Sequence, residues 1–113
     1  MKCKRCDKPI ADHTAGRELD ACVAKVVFNV KQIYVFNNEV TPKYSERIAD
    51  AYQMEERIAE LGLIDDYIII LCASVYDKYL IESIHDKSGL WHLTHATPEE
   101  RCKAALMTAS YIE

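Results

Sequence analysis

The stretch Tyr67-Ile68-Ile69-Ile70-Leu71-Cys72-Ala73 carries no charged or amide side chain at any of its seven positions. An apolar run of this length reads as a strand covered on both faces, because a strand with a wet side would alternate. This predicts a central strand over 67–73. Tyr76-Asp77-Lys78 then turns the chain into a strand over 79–85, and Asp86-Lys87-Ser88-Gly89 turns it into one over 90–95, giving a three-stranded antiparallel meander. The β-branched and aromatic run Gln32-Ile33-Tyr34-Val35-Phe36, followed by Asn37-Asn38, adds a short strand.

Three helices should cover this sheet. Thr14 is the expected N-cap of the first, whose stripe is Leu19, Cys22, Val23 and Val26. Ser45 is the expected cap of the second, in which Ile48, Ala51, Ile58 and Leu61 recur near the helical period until Gly62 ends it. Thr97-Pro98-Glu99-Glu100 opens the third with a cap, a proline at the first helical position and a capping-box glutamate. Cys102, Ala105, Leu106, Ala109 and Ile112 form its stripe. The expected fold is α+β, a small antiparallel sheet of a meander and an extra strand covered by three helices, within one domain over 14–113.

Ala15-Gly16-Arg17-Glu18-Leu19-Asp20-Ala21, then Tyr44-Ser45 with Ile48-Ala49-Asp50-Ala51, then Ala96-Thr97-Pro98 leading into Arg101-Cys102-Lys103-Ala104-Ala105-Leu106 occur in that order. Together they resemble the phage ABA sandwich domain, found in small proteins of tailed phages and prophages, over roughly residues 14 to 110. The resemblance implies an α/β/α sandwich and a phage origin, in a family without an established activity.

Residues 1–13 precede that domain and carry the sharpest chemical signal. Cys3-Lys4-Arg5-Cys6 has the spacing at which two thiolates grip one tetrahedral zinc ion while backbone amides reach their sulfurs. A closed structural zinc site has four ligands, and His13 and Cys22 would complete Cys-x2-Cys-x6-His-x8-Cys. Alternatives stay open: the segment could be a mobile tail with two exposed thiols, Cys22 also lies on the apolar stripe of the first helix, where a thiol acts as a small hydrophobe, and two chains could each contribute one Cys pair across a two-fold axis. His92 and His95 point to opposite faces of a strand over 90–95 and should not share a metal.

The chain of 113 residues has a formal charge of −4, which argues against wrapping nucleic acid as the main role. Lys2, Lys4, Arg5, Lys8 and Arg17 nonetheless outnumber Asp7 and Asp12 in the first seventeen residues, so positive charge gathers around the thiols. With only Gly16, Gly62 and Gly89, no glycine-rich phosphate loop can be built, and Glu55-Glu56, Asp65-Asp66 and Glu99-Glu100 are adjacent acids that diverge or complement helix dipoles. No enzyme constellation emerges. An odd cysteine count and a charged start without an apolar signal segment suggest a cytoplasmic protein, here of a host cell, and no apolar run approaches the ~20 residues that span a bilayer.

Two readings follow. The first is a non-enzymatic phage accessory protein acting by stoichiometric binding, a host-defence antagonist that sequesters a nucleotide immune signal or blocks a defence protein. Its candidate contacts are Arg17 and Arg101, which offer planar donor forks at helix starts, with Trp91 and Tyr44 for a base. The bland counterparts are an ion pair for each arginine and a packed core position for Trp91. The second reading is a zinc-knuckle adaptor for nucleic acid or protein, in which the basic amino-terminal segment makes the contacts. A third possibility is an oligomeric building block without a small ligand, self-associating as a homodimer.

Overall fold

The computed structural model describes residues 2–28, 42–79, 91 and 93–112. Four α-helices are assigned among them: α1 (Arg17–Val26), α2 (Ile48–Glu60), α3 (Ile64–Tyr79) and α4 (Pro98–Ile112). A 3-10 turn, Ile10–Asp12, precedes α1, and the only pairing of extended backbone among the described residues is an isolated antiparallel bridge between Lys2 and Pro9.

The expected α+β sheet, and with it the α/β/α sandwich implied by the family resemblance, is therefore corrected: no strand occurs among the described residues. The run 67–73 lies inside α3, and Trp91, Leu93 and Thr94 are helical too, with the His95 amide donating to the Trp91 carbonyl at 3.0 Å. The strands expected over 32–36 and 79–85 lie outside the described residues, apart from Tyr79, the last residue of α3. The physical reason for helix at 67–73 is in its flanks. Asp65 and Asp66 sit in the first turn, where they complement the dipole, and Ile64, Tyr67 and Leu71 lie on one face at spacings of three and four. Tyr67 and Leu71 are fully buried while Ile69 is 67% exposed, so the helix has a dry side and a wet side that the uniform apolar run concealed.

Helix α4 is the hub, packing against α1, α2, α3 and the 3-10 turn. Arg101, Cys102, Ala104, Ala105, Leu106 and Thr108 are all buried, so it is enclosed around most of its circumference, and its small residues admit close neighbours. Its start is as expected: the Glu100 amide donates to Thr97 Oγ1 at 3.1 Å and the Thr97 amide to Glu100 Oε1 at 2.9 Å, a reciprocal capping box. The end of α2 is also as expected. Gly62 takes φ +75°, its amide donates to the Ala59 carbonyl, and the Leu63 amide reaches Ile58, the two bonds of a Schellman motif.

The other two caps are corrected. Gly16, at φ +144°, and not Thr14, occupies the N-cap of α1, and Arg47, not Ser45, occupies that of α2. Ser45 instead serves a tertiary contact. Its buried Oγ donates to Asp20 Oδ1 at 2.6 Å and accepts from the Gly16 amide at 2.9 Å, while its own amide donates to the same Asp20 oxygen at 2.8 Å. This network fixes α1 to the chain entering α2. Tyr44 beside it stacks on Phe28 with centroids 5.1 Å apart.

A second network joins the remaining helices. Arg101 of α4 donates through Nη1 to Glu55 of α2 at 2.7 Å, and the Tyr67 hydroxyl of α3 donates to the same carboxylate oxygen. The other edges of the guanidinium donate to the carbonyls of Ala96 at 3.0 Å and Thr94 at 2.9 Å. Arg101 is 6% exposed, so removing it strands a largely buried carboxylate. No helix among the described residues is long and apolar enough to cross a membrane.

Two outcomes test these networks in urea denaturation. Arg101→Met should cost about 3 kcal/mol or more, the range for breaking one side of a buried pair. Glu60→Gln, which removes only the exposed Arg57–Glu60 pair, should cost less than about 0.5 kcal/mol. Burial raises the pKa of Asp20, and the two hydrogen bonds from Ser45 only partly offset it. The folded state therefore takes up this proton before the unfolded state does, so the Asp20 contribution falls as pH rises from 3.8 through the raised folded value. Asp20→Asn, which keeps an acceptor for Ser45, should abolish that dependence at little cost. Asp20→Ala, which orphans the buried Ser45 donors, should cost about 1–3 kcal/mol.

Candidate metal centre

The amino-terminal segment is built as a tight loop. The Cys3 amide donates to the Lys8 carbonyl at 2.8 Å and the Asp7 amide to the Cys3 carbonyl at 2.9 Å. Closing the loop requires φ +61° at Asp7, a left-handed conformation that aspartate tolerates better than most residues. Both cysteines of the pair face inward from this turn. The 3-10 turn that follows is anchored by Ile10, fully buried, and delivers His13 at its end. Cys22 comes from α1, one helical turn beyond Glu18.

These four residues meet. One ligating atom from each of Cys3, Cys6, His13 and Cys22 lies within 4.8 Å of all the others. Cys6 Sγ is 3.1 Å from His13 Nε2, Cys22 Sγ is 3.6 Å from the same nitrogen, and the Cys6 and Cys22 sulfurs are 3.8 Å apart. A tetrahedral centre bound at about 2.3 Å by sulfur and about 2.0 Å by imidazole nitrogen would place two sulfurs about 3.8 Å apart and a sulfur and nitrogen about 3.5 Å apart. The set thus fits a metal ion. His13 Nδ1 lies 3.2 Å from the Ile10 carbonyl, and donation there leaves the Nε2 lone pair aimed at the cluster.

The electrostatics divide the thiols. Burial pushes Cys3 up, but the amides of Cys6 and Arg5 and the neighbouring Cys22 and Cys6 thiols bonding to its sulfur outweigh that and leave it lowered. Burial pushes Cys22 up to about 12, against the pull of the Arg5 guanidinium, so a proton holds Cys22 where no cation replaces it. Cys72 and Cys102 stand outside the cluster, are raised by burial, and belong to the packing of α3 and α4. All five cysteines are free of disulfides.

The nucleotide-contact candidates are placed separately. Arg17 is exposed at the first position of α1. Tyr44 is buried, and that burial, with Asp50 and Asp20 nearby, pushes its hydroxyl up to about 12. Trp91 is 57% exposed and stacks on His95, centroids 4.2 Å apart, as residues one helical turn apart can. Arg101 lines a cleft of about 360 Å³ with Tyr52, Glu55, Tyr67, Leu93 and Thr94, a lining that includes none of the other three. His92 lies outside the described residues, so its expected separation from His95 goes with it.

Two residues of consequence were not singled out for their roles in sequence. Glu55 reads as one of two adjacent surface acids but is the partly buried partner of Arg101, and Arg5 reads as surface charge but reaches Cys22 Sγ at 3.7 Å. No local pattern marks Glu55. Arg5 is flagged only by its place between the two knuckle cysteines. No family model, curated protein or solved structure matches this chain.

Thiol titration checks the division. Chain purified without chelator should show Cys3 and Cys6 becoming reactive when a strong chelator is added, Cys22 following more slowly because burial keeps its proton on, and Cys72 and Cys102 reacting only on denaturation. Full reactivity of the first three without chelator would contradict a closed centre.

Proposed function

We propose that the protein is a zinc-binding, non-enzymatic domain that acts by stoichiometric binding, an adaptor whose metal-held knuckle presents its basic edge to a nucleic acid. The observation that carries this is the convergence of three sulfurs and one imidazole nitrogen, from a buried to half-buried environment, within 4.8 Å of one another. Thiolate and imidazole donors without carboxylate or an open position suit structural zinc better than a catalytic ion, which keeps a site for water. Zinc would close the segment before α1 onto the helical core, so part of its binding free energy is folding free energy.

Lys2, Lys4 and Lys8 are exposed on the loop that carries the thiols, whereas Arg5 is turned inward. Three lysines give a weak, salt-sensitive contact. The adaptor is preferred to nucleotide sequestration because the metal ligands share one point, while the cleft lined by Arg101 includes none of Arg17, Tyr44 and Trp91.

Elemental analysis of the purified chain should find about one zinc per chain, and less than about one per two chains would remove the zinc reading in both its one-chain and shared forms. Binding to duplex DNA should weaken with salt with a log–log slope near −3, as about three phosphate contacts require. The triple variant Lys2→Glu, Lys4→Glu, Lys8→Glu should lose that binding with its zinc content unchanged. Undiminished binding would overturn the assignment of the contact face.

A further inference from the structure

We propose that Arg5 is the positioning residue of the metal centre, holding the Cys22 thiolate on the ion and slowing its release. The inference rests on the zinc reading above. Arg5 lies between the two knuckle cysteines, and its Nη1 bridges Glu18 Oε1 at 2.7 Å and Cys22 Sγ at 3.7 Å. One residue of the knuckle thus reaches both the helix thiol and the carboxylate one turn before it, through the same nitrogen.

Charge explains why a cation belongs there. Three thiolates, a neutral imidazole and a divalent ion leave one net negative charge, and Cys3, His13 and Cys22 are each at least 97% buried. A buried, unbalanced charge is costly, and a guanidinium donating to one of the sulfurs lowers that cost locally, while the Glu18 carboxylate that shares it is half in water and therefore screened. Glu18 supplies the aim. It stands four residues before Cys22, on the same side of α1, so an arginine paired to Glu18 is held beside the Cys22 sulfur rather than left to swing into water.

The contact also explains how release is restrained. Opening the centre starts with loss of one sulfur from the ion, to a proton or to an electrophile, and a donor already on that sulfur competes with both. Cys22 is the ligand for which this matters most, because the other three are tied to one another within the short segment 3–13 while Cys22 alone comes from a helix.

The experiment is zinc transfer from the full chain to a chromophoric chelator, with the cobalt-substituted protein read by absorption. Arg5→Met should release zinc about 10- to 100-fold faster than the parent, the range for removing a group that supports a metal ligand. Its cobalt spectrum should show either the parent's three thiolates, held less firmly, or two, with Cys22 detached, and both outcomes support the proposal. Arg5→Lys, which keeps the charge but loses the fork, should fall between Arg5→Met and the parent. Should Arg5→Met lose its helical circular dichroism, Glu18→Gln carries the test, with release faster than the parent at unchanged helicity. Release at the parent's rate with an unchanged cobalt spectrum would overturn the role of Arg5 and leave the zinc reading standing. A parent chain free of zinc that also fails to take up cobalt would overturn both.

Discussion

Helix α1 is held by the burial of Leu19, Val23 and the following Val27 in the common core, and that fixed rotation is what turns Cys22 toward Cys6 and His13. Cys22 answers to two neighbours at once. It belongs to the core cluster and supplies the only cluster ligand that comes from a helix, so the choice posed by the sequence between a buried hydrophobe and a ligand is not a choice in the structure. The remaining ligands reach Cys22 because Asp7 closes the knuckle and Ile10 pins the 3-10 turn into the same core. Geometry at the site is thus inherited from packing.

What is legible in the sequence follows the reach of the interactions. The capping box at Thr97 to Glu100 and the Gly62 terminus are encoded within a few residues, and both are found. The Cys-x2-Cys-x6-His-x8-Cys set was legible for another reason: thiol and imidazole ligands are scarce residue types, and the loop lengths between them leave few ways to assemble four. The expected caps Thr14 and Ser45 failed because the amides and hydroxyls near those helix starts answer to distant partners. The Ala15 amide donates to Glu99 at 2.8 Å and Ser45 bonds Asp20. Local grammar cannot anticipate such contacts.

The misreading of α3 has a different origin. Within 67–73 every position is apolar, so neither a period of two nor one of 3.6 can be detected, and the missing polar phase mimics burial on both faces. The structure leaves Ile69 largely exposed, so the phase is present as burial but absent as chemistry. Length is no better a guide, since the apolar run is of ordinary strand length while the helix that contains it runs 16 residues. Glu55 was hidden in the opposite way, a charged residue whose burial depends on Arg101, 46 positions away.

The two buried charge systems also differ in what supports them. Arg101 and Glu55 neutralise each other and are completed by Tyr67 and two carbonyls, so that network is self-contained once α2, α3 and α4 have packed. The thiol cluster has no such closure from protein atoms alone, since Cys22 lies nearest other sulfurs, an imidazole and one guanidinium, and burial holds its proton on. A divalent ion satisfies all four donors together, which Arg5 by itself cannot do. Because Cys3 and Ile10 already lie in the core cluster shared with α1 and α4, an ion in the centre would tighten the amino-terminal segment against the helices instead of creating a separate unit, and on the proposed zinc reading its binding would be linked to the docking of that segment.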